Sequence, residues 1–343
     1  MKTLGNVLYI TSPEASLGLD GDAIVITKPD TPTKKFPLIN LQGIVCFNYL
    51  GVSPALMARC IQSQISLCFL TPNGRFQARV EGQVSGNVLL RKKQFLVSED
   101  PRASLLIARN CIVGKIYNQR KILQRAVRDH PLLIEKNKFA QSIDALKALA
   151  QQSQNAQSSV ELLALEGSSA KNYFSCFGQM IFQQKTDFAF TERNRRPPLD
   201  RINALLSFLY VLLTNEVSSA LAGVGLDPYV GFFHSDRPGR VSLALDMMEE
   251  LRPVLCDRVA LNLVNRRQID GKGFLIKESG GVLIEDETRK KVLTAWQEKK
   301  KEQIIHPFLK EKVPLGLIPH IQAQLLARYL RGDLDGYPPF LGS

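Results

Sequence analysis

The stretch 80-VEGQVSGNV-88 divides the chain into two kinds of sequence. Its glycines interrupt any sustained periodicity, and the residues on either side follow different rules. Upstream lie short β-rich pieces, NVLYIT, AIVIT, GIVCF, ISLCFL and FQARV, separated by the turn signals LDGD, KPDTPT and TPNGRF. One helix interrupts them: Ser53 supplies an N-cap and Pro54 the first helical position of SPALMARCIQSQ. Downstream, LLRKKQFLVSED, PRASLLIARNCIVGKIYNQRKILQRAVRDH and SIDALKALAQQSQ place apolar residues three and four apart, the helical spacing. The run from Pro197 to Ala222 predicts a further helix opened by a double proline. Helices are also expected over 285–299 and 315–331, with only the hairpin-like KGFLIKESGGVLIE among them. The fold class expected is therefore α+β in two domains: a small N-terminal β domain over 1–80, a linker over 81–90 and a larger all-α domain over 91–334. The proline- and glycine-rich residues 335–343 are expected to form a flexible tail.

Composition narrows the partners. The chain has 343 residues, 45% of them hydrophobic and 22% charged, which suits a soluble globular protein with a sizeable core. Lys and Arg number 44 against 32 Asp and Glu, a formal surplus of +12, with an isoelectric point near 9.4. Such a surplus favours a polyanion. No basic amphipathic anchor or lipidation motif stands out, so nucleic acid is favoured over a membrane, and a basic enzyme with no polymer partner is the alternative. The start MKTLGNVLYITSPE lacks the continuous apolar core of a signal peptide. The longest apolar run, 204-ALLSFLYVLL-213, is too short for a bilayer and predicts a buried helix. Six cysteines lie in apolar surroundings without CxxC or zinc-type spacing, as core thiols of a cytoplasmic protein would.

The stretch 231-GFFHSDRPGRVSLALDMMEELRP-253 carries the chemistry. His234, one of four histidines, precedes an Arg/Gly turn and a helix bearing Asp246, Glu249 and Glu250. Spacings of three and four place these carboxylates on one helix face. The same pattern also suits a solvated face with a surface histidine. An imidazole with several carboxylates is a hard donor set suited to Mg2+ or Mn2+ rather than zinc. Arg237, Arg240 and Arg252 surround the acids, and Arg193, Arg195 and Arg196 lie upstream in RNRRPP. A site that binds a phosphodiester needs both signs of charge close together. A further ligand is offered by Glu166 in 163-LALEGSSAKNYF-174, expected where one helix ends and another begins.

LEGSSAKNYF, RNRRPPLDRINALLSFLYVLL and GLDPYVGFFHSDRPGRVSLALDMMEELRP, in this order and spacing, closely resemble the CRISPR-associated integrase family, the first-numbered Cas protein. The wording HSDRPGRVSLALD is most similar to members found with type I-C systems. The resemblance implies a metal-dependent DNA endonuclease that inserts spacers into CRISPR arrays by attack of 3′-OH ends at repeat borders. It maps the metal ligands onto Glu166, His234 and Glu249, with Asp246 at a further acidic position that supports or occasionally joins them. Other members often have aspartate where Glu249 stands. Arg237, Arg240 and Arg252 would clamp the phosphate near a Mg2+ or Mn2+ ion, and Arg193, Arg195 and Arg196 would follow flanking duplex. The partners implied are double-stranded DNA, as spacer precursor and repeat, and the small second-numbered Cas protein. A homodimer is implied as well, and the β domain is expected to join it, because its short strands leave edges to be covered. A general DNA-repair nuclease and a non-catalytic DNA-binding module are the competing readings. His130, His306 and His320 have no acidic company and read as structural.

Overall fold

The computed structural model describes residues 4–47, 51–72, 74–82 and 88–342. The N-terminal pieces are β1 (Asn6–Ile10), β2 (Ser16–Asp20), β3 (Ala23–Lys28), β4 (Thr31–Pro37), β5 (Leu41–Phe47) and β6 (Gly51–Val52), then α1 (Pro54–Gln62), β7 (Ser66–Leu70) and β8 (Phe76–Val80). They form two sheets, ordered β1-β5-β7-β8 and β4-β3-β2-β6. In the first, β5 pairs in parallel with both β1 and β7, and α1 makes the crossover that parallel neighbours require. The Ser53 hydroxyl accepts from Leu56 N–H, the cap the sequence calls for. KPDTPT is more than a turn, because β4 starts inside it. All seven residues of β4 are exposed, so the strand carries no apolar alternation to betray it.

Side-chain alternation places the first sheet between two cores. Ile44 and Cys46 of β5 and Leu67 of β7 enter a small core with β2, β3 and α1. Their neighbours Val45, Phe47, Cys68 and Leu70 point the other way, into the large helical core. The β region is thus seated on the helices by one face of a sheet. The linker expected over 81–90 falls partly on 83–87, outside the described residues, and helix begins at Val88.

The helical region comprises α2 (Val88–Glu99), α3 (Pro101–Asp129), α4 (Lys136–Asn155), α5 (Ser159–Phe177), α6 (Arg201–Gly223), α7 (Ser242–Met248) and α8 (Arg258–Asn265). These are followed by β9 (Phe274–Ile276), β10 (Val282–Ile284), α9 (Asp286–Lys301), β11 (Gln303–Ile305), β12 (Lys312–Pro314) and α10 (Ile318–Arg331). It is not all-α: β9 pairs with β10 and β11 with β12, two short antiparallel ladders. The first is the hairpin signalled by KGFLIKESGGVLIE. The central α3 is capped by Asp100, whose carboxylate accepts from Arg102 and Ala103 N–H, and it packs on α4 and α5. Its burial is nearly all round over 104–126, as a core helix requires.

Two boundaries differ from expectation. The helix predicted from Pro197 starts at Arg201, because the Asp200 carboxylate caps Asn203 N–H at 2.7 Å and outcompetes the double proline as a start signal. By length and composition α6 could cross a membrane, but 56% of its most apolar window is buried within this fold. The tail expected to be flexible is instead docked. Tyr337 and Phe340 are 2% and 1% exposed and belong to the large core. Asn110 Nδ2 donates to Tyr337 O at 2.8 Å, and Gly342 N–H donates to Asn118 Oδ1 at 2.7 Å, tying the tail to α3.

Candidate active site

Three elements meet behind α7. Glu166 does not lie at a helix junction. It sits within the unbroken α5, where Gly167 is accommodated without a break and Ser168 and Ser169 satisfy their hydroxyls on Ala164 O and Glu166 O. Lys115 of α3 reaches it: the ammonium donates to Glu166 Oε1 and lies 2.7 Å from Glu249 Oε2. Arg252 Nη1 holds the other Glu249 oxygen at 2.7 Å. Glu249 is 2% exposed. Burial alone pushes its carboxyl up, but Arg252, Lys115 and His234 outweigh that and hold it well below the usual carboxylate range. It therefore stays ionised in a nearly dry site.

His234 is held from behind. Asp246 Oδ1 bonds the imidazole Nδ1 at 2.6 Å and the His234 N–H at 2.9 Å. Asp246 Oδ2 accepts from Phe232 and Phe233 N–H at 2.6 and 3.0 Å. One buried carboxylate thus shapes the whole loop and, through Nδ1, leaves the Nε2 lone pair of His234 for a ligand. Gly231 permits this close approach, since a Cβ there would lie 2.8 Å from Ser242 Cβ and 2.9 Å from Asp246 Oδ2.

The three acids expected on one helix face part company. Helix α7 ends at Met248, and the chain turns before a π-helical turn over Pro253–Asp257. Asp246 serves the loop and Glu249 serves Lys115 and Arg252. Glu250 faces the tail: Gln322 Nε2 donates to its Oε1 at 2.9 Å, Phe340 N–H donates to its Oε2 at 2.7 Å, and Tyr337 donates as well. The arginines divide too. Arg193, Arg195 and Arg252 line one cavity with Lys115. Arg196 and Arg237 are exposed and Arg240 half-buried, and Arg237 edges a surface depression beside Tyr229 and Asp236. His306 is buried, sharing a 3.1 Å hydrogen bond with Gln322 and accepting from Phe308 and Leu309 N–H.

Sequence reasoning missed Lys115. The signal was present: in 111-CIVGKIYNQ-119 it sits on a helix whose other faces are buried, where a lysine requires a counter-ion. It bears directly on metal binding. Among the described residues no three His, Cys, Asp or Glu side chains are gathered closely enough to hold an ion as they stand. Glu166 and Glu249 nevertheless share one cation, the ammonium. By donor type, the two carboxylates and the neighbouring imidazole suit a hard divalent ion such as Mg2+ or Mn2+.

A family model described as CRISPR associated protein Cas1 matches residues 8–298. The chain belongs to the Cas1 family. It is 50% identical to the CRISPR-associated endonuclease Cas1 2 of Rhodospirillum rubrum, over 99% of each chain. Among solved structures, a casposase bound to its integration product superposes with a TM-score of 0.83 at 21% identity, over 98% of this chain and 93% of that one. A chain of a Cas6-RT-Cas1–Cas2 complex gives 0.78 at 23% identity, over 99% of this chain and 36% of that one. At these identities the structural likeness shows the fold alone, whereas the sequence relatives, which carry the name CRISPR-associated endonuclease Cas1, show the family. Within this Cas1 fold, α5 and the segment after α7 bring Glu166 and Glu249 to one lysine of α3, and the His234 loop is held separately by Asp246.

Proposed function

We propose that this Cas1 family member is a divalent-metal-dependent DNA integrase that joins 3′-OH ends to the borders of a CRISPR repeat. The observation that carries the reading is the convergence of Glu166 and Glu249 on a single cation beside an imidazole oriented by Asp246. Glu166, Glu249 and His234 Nε2 would hold Mg2+ or Mn2+, which supplies Lewis-acid stabilisation of the charge that develops on an attacked phosphodiester. Transesterification breaks one P–O bond as it forms another, and the 3′-OH proton ends on the released 3′-OH. No water is consumed, so this chain's residues must position both strands and keep the site dry.

Each residue has a part in that. Arg252 keeps Glu249 ionised at full burial. Asp246 fixes the imidazole, and Gly231 lets the loop close on Asp246. Lys115 balances the two glutamates and is placed to turn toward phosphate when they take up an ion. Arg193, Arg195, Arg196, Arg237, Arg240 and Arg252 are assigned to the DNA backbone, in keeping with the +12 surplus.

The HSDRPGRVSLALD wording supports placing the protein with type I-C systems. The casposase and the Cas1–Cas2 assembly among its structural neighbours support double-stranded DNA and a Cas2 protein as partners. A homodimer would place two such sites on the two strands of a repeat. The exposed β4 is an uncovered sheet edge suited to that contact. The test is a strand-transfer assay with a 3′-OH duplex, a supercoiled repeat-bearing plasmid and the Cas2 partner. Joined product supports the reading, and cleavage without joining overturns it.

A further inference from the structure

Beside Glu249 lies a partly enclosed cavity of about 20 Å3, whose lining includes Lys115, Gln119, Arg193, Arg195, Tyr210 and Arg252. That is room for about one water-sized group, too little for a base or a sugar. Four cations meet there, and they are unequally matched. Lys115 is neutralised by Glu166 and Glu249, and Arg252 by Glu249. The remaining acid of the lining, Asp257, accepts from Tyr173 Oη at 3.0 Å and Tyr210 Oη at 2.8 Å rather than from a guanidinium.

Arg193 therefore hydrogen-bonds only to neutral groups, and Asp257 acts on it through space alone. Its Nη1 donates to Asn203 Oδ1 at 2.6 Å and to Asn194 O, and its Nη2 donates to Ser207 Oγ at 3.2 Å. Its guanidinium carbon lies 5.2 Å from the Tyr210 ring centre, and that of Arg252 lies 5.0 Å from the same ring. The buried Nε atoms of Arg193 and Arg252 have no hydrogen-bond partner. Cations crowded together around a small cavity repel one another, and unmatched buried donors are costly. Both costs fall when an anionic oxygen enters. Asn203, Ser207 and the Tyr210 face hold the arginines in place beforehand, so little ordering is left for the moment of binding.

We propose that this cavity is a phosphate cup, which receives one non-bridging oxygen of a DNA phosphodiester other than the one being joined. Arg193 and Arg195 make the contact. Arg252 spans the cup and Glu249, so a seated phosphate fixes the strand's register against the joining site. The inference deepens the integrase reading and rests on it for the identity of the strand.

The experiment measures binding in EDTA, so that no joining occurs. A 3′-OH duplex carries a single uncharged methylphosphonate, moved one position at a time along each strand. In the wild type one position is expected to cost about tenfold in affinity, the worth of one charge-assisted contact. In Arg193→Gln and in Arg195→Gln that position is expected to cost nothing further, while other positions keep their penalties. Each variant should also lower the salt slope of binding by about 0.9, one phosphate contact. Arg195 is exposed, so its variant reads the cup even if Arg193→Gln fails to fold. Penalties that are the same in wild type and Arg195→Gln at every position overturn the cup. A wild type that joins no DNA in Mn2+ overturns the integrase reading instead, and leaves the binding result to be read by itself.

Discussion

Lys115 Nζ lies 2.7 Å from Glu249 Oε2 while also donating to Glu166, so one buried ammonium balances both glutamates. Without the ammonium, Arg252 alone would be left to two neighbouring carboxylates, which repel and resist ionisation. Lys115→Met should therefore destabilise the metal-free protein by about 3 kcal/mol, the cost of breaking a buried ion pair. Mn2+ should restore more of that loss in the variant than it adds to the wild type, because no ammonium competes for the glutamates. Thermal melts in EDTA and in Mn2+ measure both. An equal Mn2+ effect in the two proteins would show that the lysine and the ion do not share a place.

Asp246 accepts three backbone N–H groups and bonds the His234 ring, and an amide cannot do the same. In Asp246→Asn the NH2 group must face one of those N–H donors. A loss of about 2–4 kcal/mol in stability follows, and Mn2+ affinity should fall about 10–100-fold through the loosened imidazole. Calorimetric titration with Mn2+ separates the two effects. Metal affinity unchanged at intact fold would contradict the role given to Asp246.

Gly231→Ala tests the loop by shape alone. The added methyl would meet Ser242 Cβ at 2.8 Å and Asp246 Oδ2 at 2.9 Å, both anchored atoms. Overpacking of this kind costs about 1–3 kcal/mol. The displaced loop should reduce joining far more than it reduces duplex binding. Joining at wild-type rate would show that the loop tolerates the shift.

Glu250 makes stability depend on pH. Burial pushes its carboxyl up to about 7, against the donors Tyr337, Phe340 N–H and Gln322. A raised carboxyl binds its proton more tightly in the folded state. Its contribution is then complete below the ordinary value of 4.5 and is lost as pH rises through about 7. The loss amounts to about 3 kcal/mol at most. Glu250→Gln, neutral throughout, should lack that slope, so its melting temperature should gain on the wild type between about pH 5 and pH 8. Parallel pH profiles would contradict this placement.

The change from short strands to long helices was legible, because alternation and helical spacing survive in unaligned text, and the family itself was legible through the wording around Glu166, His234 and Glu249. The sequence concealed β4, which buries nothing, and the docked tail, whose Tyr337 and Phe340 find partners on α3 and α10 that no local pattern announces. The parting of Asp246, Glu249 and Glu250 was hidden for another reason. It follows from the end of α7 at Met248, where a helical wheel no longer applies. Lys115 was legible only as a lysine out of place, fifty-one residues from its nearer partner in sequence.

The central claim is that Glu166, His234 and Glu249 hold the ion that makes DNA joining possible. His234→Ala tests it most directly, assayed with the Cas2 partner in Mn2+ for joining of a 3′-OH duplex into a repeat-bearing plasmid. Duplex affinity is measured on the same preparation. The expected result is joined product from the wild type and none from the variant, at equal duplex affinity. Equal joining by the two proteins would contradict the account.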